Sequence, residues 1–240
     1  MPTRPIGSRI FGQMFGTAEM VRMFSDEAMV QRYLDVEAAL ARAQAKLGLV
    51  PDTAARAITE RARVENVDWE RLRERTEIVG YPILPLVEQL STWCDEGLGQ
   101  YSHWGATTQD IMDTADVLQM RDAQGLIRAD LEGVADALAN LAERHAATVM
   151  AGRTHLQHAL PITFGYKAAT WLSGIDRHRR RLDELEARLL VVSFSGASGT
   201  LASLGAADGL ATQKALAEEL GLGVPDITWH TIRDNFAEAT

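Results

Sequence analysis

The chain has 240 residues, 46% of them hydrophobic and 24% charged, which is enough for one large domain or two small ones with a true core. A formal net charge of −9 argues against a general binder of nucleic acid or membrane. An anionic substrate would have to be attracted by local donors, not by the global field.

The one cysteine, Cys94, excludes an intrachain disulfide and a multi-cysteine zinc site, and is expected as a buried thiol. No apolar run approaches the ~20 residues that span a bilayer. The N-terminus lacks a basic-then-apolar signal pattern. The expected location is the cytoplasm.

Residues 1–25 carry no periodic pattern; Arg4, Ser8 and Arg9 are candidate exposed groups in what reads as a docking arm. Ser25-Asp26 offers an N-cap, and Tyr33, Val36, Leu40, Ala43 and Leu47 follow on one helical face, closed by Gly48 and Pro51. Further helices are predicted over Asp52 to Arg63, Asp68-Trp69 to Ile78, and Leu84 to Trp93. A polar loop comes next, His103-Trp104-Gly105-Ala106-Thr107-Thr108-Gln109-Asp110.

Asp110 can cap a long helix in which Met120, Ile127, Leu131, Val134, Leu138 and Leu141 keep a seven-residue rhythm to about His145. Gly152 and Pro161 punctuate a second polar stretch, Ala151 to Pro161, predicted as a turn leading into a helix from about Pro161 to Val192. The basic run Arg177 to Arg181 is followed by Asp183, Glu184 and Glu186, the pattern of a solvated face. Ser193 to Thr200 is small and flexible, suited either to cradling an anion with backbone N–H groups or to a close helix crossing. A helix over Ala207 to Leu220 precedes a last polar cluster, Trp229-His230-Thr231-Ile232-Arg233-Asp234.

Strand patterns are nearly absent, so the expected class is all-α. The expected division is an N-terminal helical domain over 1–110 and a long-helix bundle over 111–240. Two long helices have nothing opposite to bury both seams, so a longer chain or partner subunits are expected to complete the bundle.

Of the six histidines, no pair has the His-Glu-x-x-His spacing. No Gly-x-Ser-x-Gly elbow or phosphate loop is present. His155 is the best general-acid candidate, since imidazole exchanges protons near neutral pH. Arg153 can orient a carboxylate through two parallel bonds or pair with an internal acid. Thr107 and Thr108 precede a helix start, where hydroxyls and N–H groups favour an anion; Thr107, Thr108 and Asp110 can equally be plain capping groups.

Taken in order, several segments resemble the aspartase/fumarase superfamily over essentially the whole chain. They are Met23 to Asp26, Leu34 to Ala43, Gly48 to Pro51, Gly105 to Asp110, Gly152 to Ala159, Ser195 to Thr200 and Trp229 to Asp234. Within it the likeness is greatest to the 3-carboxy-cis,cis-muconate cycloisomerases, then to the adenylosuccinate lyases. The latter carry a His-Asp pair where this chain has Tyr81-Pro82, which argues against a purine nucleotide substrate.

The resemblance implies an L-aspartase-like fold and a homotetramer whose active sites collect loops from three subunits. It implies cofactor-free chemistry without a metal: a proton is moved beside a carboxylate, and a C–N or C–O bond is made or broken at the next carbon. Thr107 and Thr108 match carboxylate-binding positions and His155 the general acid. Arg153, Thr154 and Gln157 line the same loop as His155, while Gln109, His103 and Arg233 match positions at or near the substrate. The superfamily's mobile loop, with its catalytic serine base, is expected beyond Thr240. The expected substrate is a small di- or tricarboxylate, first 3-carboxy-cis,cis-muconate. The alternatives are a C–N lyase releasing fumarate and an inactive helical module. Neither nucleic acid nor membrane is an expected partner.

Overall fold

The computed structural model describes Ser8 and residues 10–240; Arg4 and Arg9 lie outside the described residues. Ser8 acts locally, its Oγ accepting from the N–H groups of Ile10 and Phe11. Nine α-helices are present among the described residues: α1 (Ala18–Met23), α2 (Asp26–Lys46), α3 (Asp52–Arg61), α4 (Trp69–Val79), α5 (Ile83–Trp93), α6 (Thr108–Arg144), α7 (Phe164–Leu189), α8 (Ala206–Leu220) and α9 (Asp234–Ala239). A two-stranded hairpin, β1 (Val149–Thr154) and β2 (Gln157–Thr163), separates α6 from α7. The class is therefore all-α with one small ribbon.

By compactness the chain forms two units, Met1–Arg121 with Arg188–Thr240, and Asp122–Ala187.

In the first unit, the predicted start signals operate where expected. Ser25 Oγ accepts from Ala28 N, and Asp68 Oδ1 from Arg71 N. Helix α2 buries Tyr33, Val36, Leu40 and Ala43, and packs on α3 and α8. The core joins these to Ile83, Leu86 and Leu90 of α5, Ile111 and Leu118 of α6, Phe194, and Leu216 of α8. Cys94 is buried, with Sγ donating to Leu90 O, and burial pushes its thiol up. Leu47, expected on the buried face, is 41% exposed because α2 stops at Lys46.

In the second unit, α6 and α7 run antiparallel, pinned by Arg128 to Asp183 and Glu186 and by Arg179 to Glu132. The basic run is the solvated face expected of it. Ile127 and Val134 of the α6 seam stay exposed at 41% and 43%.

The turn-to-helix expectation for 151–161 is corrected: these residues pair as an antiparallel ribbon, and Pro161 sits opposite Ala151 in β2. Gly152 marks a register irregularity instead of ending the element. A Cβ there would lie 2.4 Å from Leu160 O, so the bulge needs glycine. A two-stranded ribbon is all edge, which accommodates proline without a lost ladder donor. Helix α7 accordingly begins at Phe164.

The fold's dependence on α2 is testable. Leu34 is fully buried, so Leu34→Ala is expected to cost ~2–5 kcal/mol in urea unfolding. Leu47→Ala is expected to stay within ~0.5 kcal/mol. Equal losses would contradict the core assignment.

Candidate functional site

The loop before α6 is shaped by two elements of α2. Glu37, whose side chain is 1% exposed, accepts from the His103 backbone N–H (3.0 Å) and lies 2.6 Å from His103 Nδ1. This double grip holds His103 at φ 60°, a conformation that non-glycine residues rarely adopt. Burial alone would lower the His103 imidazole; the Glu37 carboxylate, with help from Asp110, outweighs it and holds the ring above its ordinary value. Gln44 Nε2 donates to Trp104 O (2.7 Å). Gly105 then turns the chain at φ 76°, where a Cβ would meet Leu204 Cδ1 at 2.6 Å.

Asp110, in the first turn of α6, is fully buried. Its Oδ2 accepts from Thr107 N (3.0 Å), the backward reach of a capping-box residue. The same oxygen accepts from Gly196 N (2.9 Å), and Oδ1 accepts from Ser195 N (3.0 Å) and from the Ser195 hydroxyl (3.3 Å). The small-residue stretch thus cradles an anion with backbone N–H groups, and the anion is this chain's own carboxylate. One turn further, Thr114 Oγ1 accepts from Ser193 N and donates to Ser193 O (2.9 and 3.0 Å).

Asp113 joins two predicted site residues. Its Oδ1 accepts from Gln109 Nε2 (2.7 Å) and from Arg233 (2.8 Å). Its Oδ2 is buried with no hydrogen-bond partner. Burial raises the Asp113 carboxyl, while Gln109 and Arg233 oppose the rise. Burial and the neighbouring Asp113 push Asp116 up to about 6, against the pull of Arg233. The Arg233 guanidinium also lies over the Phe236 ring, 5.0 Å from its centroid. Its charge is therefore largely answered by α6 acids before any ligand arrives.

His103, Thr107, Thr108, Gln109 and Arg233 all belong to the first unit. Arg153, Thr154, His155 and Gln157 belong to the second, at the tip of the hairpin. All four are exposed; His155 and Leu156 form the turn, and Gln157 Nε2 reaches Thr154 Oγ1 at 3.5 Å. A cavity of about 450 Å³ between α2, α3 and α8 is lined by Arg42, Lys46, Thr59 and Glu219, and includes none of the predicted site residues. Among the described residues no His, Cys, Asp and Glu cluster is arranged to hold a metal ion, and no helix is long and apolar enough to cross a membrane.

Sequence reasoning gave no individual role to Glu37, Asp113, Ser195 or His230, although the segments holding Ser195 and His230 were singled out. Two of them left a trace: Glu37 lies among apolar residues of α2, and Asp110, Asp113 and Asp116 recur at helical spacing on α6.

A mostly helical chain with hydroxyls at the head of a very long helix, backed by a buried acid, defines the class. Residues 14–239 match the model of the Lyase family, and the chain belongs to that family, within the aspartase/fumarase superfamily. It is 48% identical over 225 residues to trans-aconitate decarboxylase 1 of Mycosarcoma maydis, covering 94% of this chain and 45% of that protein. It is 48% identical over 234 residues to 3-carboxy-cis,cis-muconate cycloisomerase of Pseudomonas aeruginosa, covering 96% and 51%. A solved fumarate lyase from Mesorhizobium sp. BNC1 superposes with a TM-score of 0.88 at 62% identity, covering 92% of this chain and 52% of that one. The chain spans about half the length of the curated relatives it matches.

The raised acid on α6 has a pH signature. An aspartate held above its ordinary 3.8 favours the protonated fold. Its stabilising contribution is complete below 3.8 and is lost as pH rises through about 6. Asp116→Asn is therefore expected to raise the melting temperature at pH 7.5, with the gain shrinking at pH 5. A gain that grew on acidification would contradict the assignment.

Proposed function

We propose that the full-length protein is a cofactor-free enzyme of small di- or tricarboxylates, working by anti addition or elimination, with lactonisation of 3-carboxy-cis,cis-muconate as its first candidate reaction. The observation that carries this is the head of α6. There Thr107 and Thr108 stand at the N-terminus of a 37-residue helix, whose dipole and N–H groups favour an anion. Asp110 holds that loop from beneath.

Charge supports a shared site. Asp110, Asp113 and Asp116 make the α6 end acidic, and Arg233 is already paired. A polycarboxylate therefore needs cations from elsewhere. The exposed hairpin of another copy offers Arg153 and His155, with Gln157 and Thr154 beside them. In this reading Thr107, Thr108 and Gln109 hold one carboxylate, Arg153 holds another, and His155 gives the proton to the carbon next to the one where the ring oxygen bonds. His103, held by Glu37, and Arg233 shape the rim. Exposed apolar side chains on the second unit, among them Val149, Leu156, Leu160 and Tyr166, support burial between copies. A cytoplasmic homotetramer serving aromatic catabolism is part of the same proposal.

A second reading has its own observation. The Mycosarcoma maydis relative is named for an unsaturated tricarboxylate and is as similar as the cycloisomerase. A C–N lyase releasing fumarate from an aspartate- or succinate-type substrate is the further alternative, supported by the 43% identity to an adenylosuccinate lyase of Pyrococcus abyssi.

The test is a substrate panel on the full-length chain. 3-Carboxy-cis,cis-muconate is followed by its loss of ultraviolet absorbance, trans-aconitate by release of carbon dioxide, and succinyl-amine adducts by appearance of fumarate. His155→Gln is expected to lower turnover on the accepted substrate ~10²–10⁴-fold with the oligomer intact. Unchanged turnover would remove His155 as the acid. Inertness toward the whole panel would favour an inactive helical module.

A further inference from the structure

Three consecutive residues, Thr228, Trp229 and His230, are fastened to the segment from Val192 to Gly199. Thr228 Oγ1 donates to Gly199 O (3.4 Å), the buried Trp229 Nε1 donates to Val192 O (2.9 Å), and His230 Nδ1 lies 3.0 Å from Ser195 Oγ. Ser195 is itself 3% exposed, and its hydroxyl is 3.3 Å from Asp110 Oδ1. The side chains therefore run Asp110, Ser195, His230, from the buried carboxylate outward to a half-buried imidazole.

The proton count orients this chain of bonds. A serine hydroxyl has one proton, and a carboxylate oxygen only accepts, whereas an imidazole nitrogen does either. A hydroxyl given to the carboxylate forms the stronger, charge-assisted bond. Ser195 then accepts from Nδ1–H of His230, and Nε2 is the free end of the ring. The order differs from that of a hydrolase triad, where the histidine stands between serine and acid. Here the serine is the enclosed member and has no access to a substrate carbonyl.

The charged groups on the surrounding elements are Asp110, Asp113 and Asp116 of α6, with Arg233 and Asp234 on the histidine's own turn. Asp113 is close enough for a charge on His230 to be felt at its carboxyl.

We propose that His230 contacts the substrate, donating from Nε2–H to one of its carboxylates, and that Ser195 is a positioning residue that fixes the ring through Asp110. This deepens the function proposed above and rests on the Thr107 loop being the substrate site. Because Asp110 also caps that loop, one buried acid sets the distance between the two ends of a bound polycarboxylate.

Two substitutions separate contact from scaffolding. His230→Asn keeps an amide at the Nδ1 position, and with it the bond to Ser195, but has nothing at Nε2. His230→Gln keeps a donor near the Nε2 position and loses the bond to Ser195. Binding of 3-carboxy-cis,cis-muconate and of trans-aconitate to the full-length protein is measured by calorimetry, with Thr107→Val alongside.

For whichever acid binds, His230→Asn is expected to weaken affinity at least tenfold, with an unchanged melting temperature. His230→Gln is expected to lose less affinity. Wild-type affinity in His230→Asn would overturn the proposal. Affinity lost in His230→Asn but kept in Thr107→Val would uphold it while overturning the carboxylate role given to the Thr107 loop. Absence of binding of either acid to the unaltered chain would overturn both.

Discussion

A carboxylate taken out of water is costly unless its lone pairs are met by donors. Asp110 meets that condition with three backbone N–H groups and two hydroxyls, those of Ser193 and Ser195, from two stretches of chain far apart in sequence. The constraint works in both directions. The N–H groups of Ser195 and Gly196 turn inward to the Asp110 carboxyl, and that side chain is tolerated in the core because they meet its oxygens. The Thr107 loop is capped by the same group, so the head of α6 cannot shift without disturbing residues 195–196. Thr114 repeats the lock one turn along with its reciprocal pair of bonds to Ser193. Asp113 adds a third tie, drawing Arg233 against Gln109. Rigid support of this kind is what a site for small acids requires, since misplacement by about an ångström costs much of the benefit of orientation.

The acids at the head of α6 would oppose the proposed polycarboxylate. Asp110, Asp113 and Asp116 recur at helical spacing on α6, and Asp116 is pushed up to about 6. A chain of net charge −9 offers no long-range help. The compensating cations that the sequence offers near a polar loop are Arg153 and His155, and these stand on an exposed hairpin in the other compact unit. The proposed assembly of several copies would reconcile an acidic half-site with the proposed polyanionic substrate. It would also give the exposed seam residues Ile127 and Val134 something to pack against.

Much of this was legible in the sequence. Caps at Ser25 and Asp68, the periodicity of α2 and the length of α6 followed from local chemistry that acts within four residues, and local chemistry is what a pattern records. The hairpin was missed because both of its faces meet solvent in a single chain, so it carries no alternation of polar and apolar residues, and its glycine reads as a break. Ser193 to Thr200 was correctly suited to an anion, but nothing in its composition says that the anion is Asp110, 85 positions away from Ser195. His230 drew no role for the same reason. Its meaning lies in a bond to Ser195, 35 residues earlier. Asp110 itself read as a cap, which it is, while its second task depends on contacts that only the fold supplies.

Native-state amide hydrogen exchange on Asp110→Asn in the full-length protein tests the central claim most directly. An amide group in place of either carboxylate oxygen sets a donor against a backbone N–H, so the nest cannot be satisfied. Protection at Thr107, Ser195 and Gly196 is expected to fall together by tenfold or more, while amides of α2 around Leu34 keep theirs. Unchanged protection at all three would contradict the account.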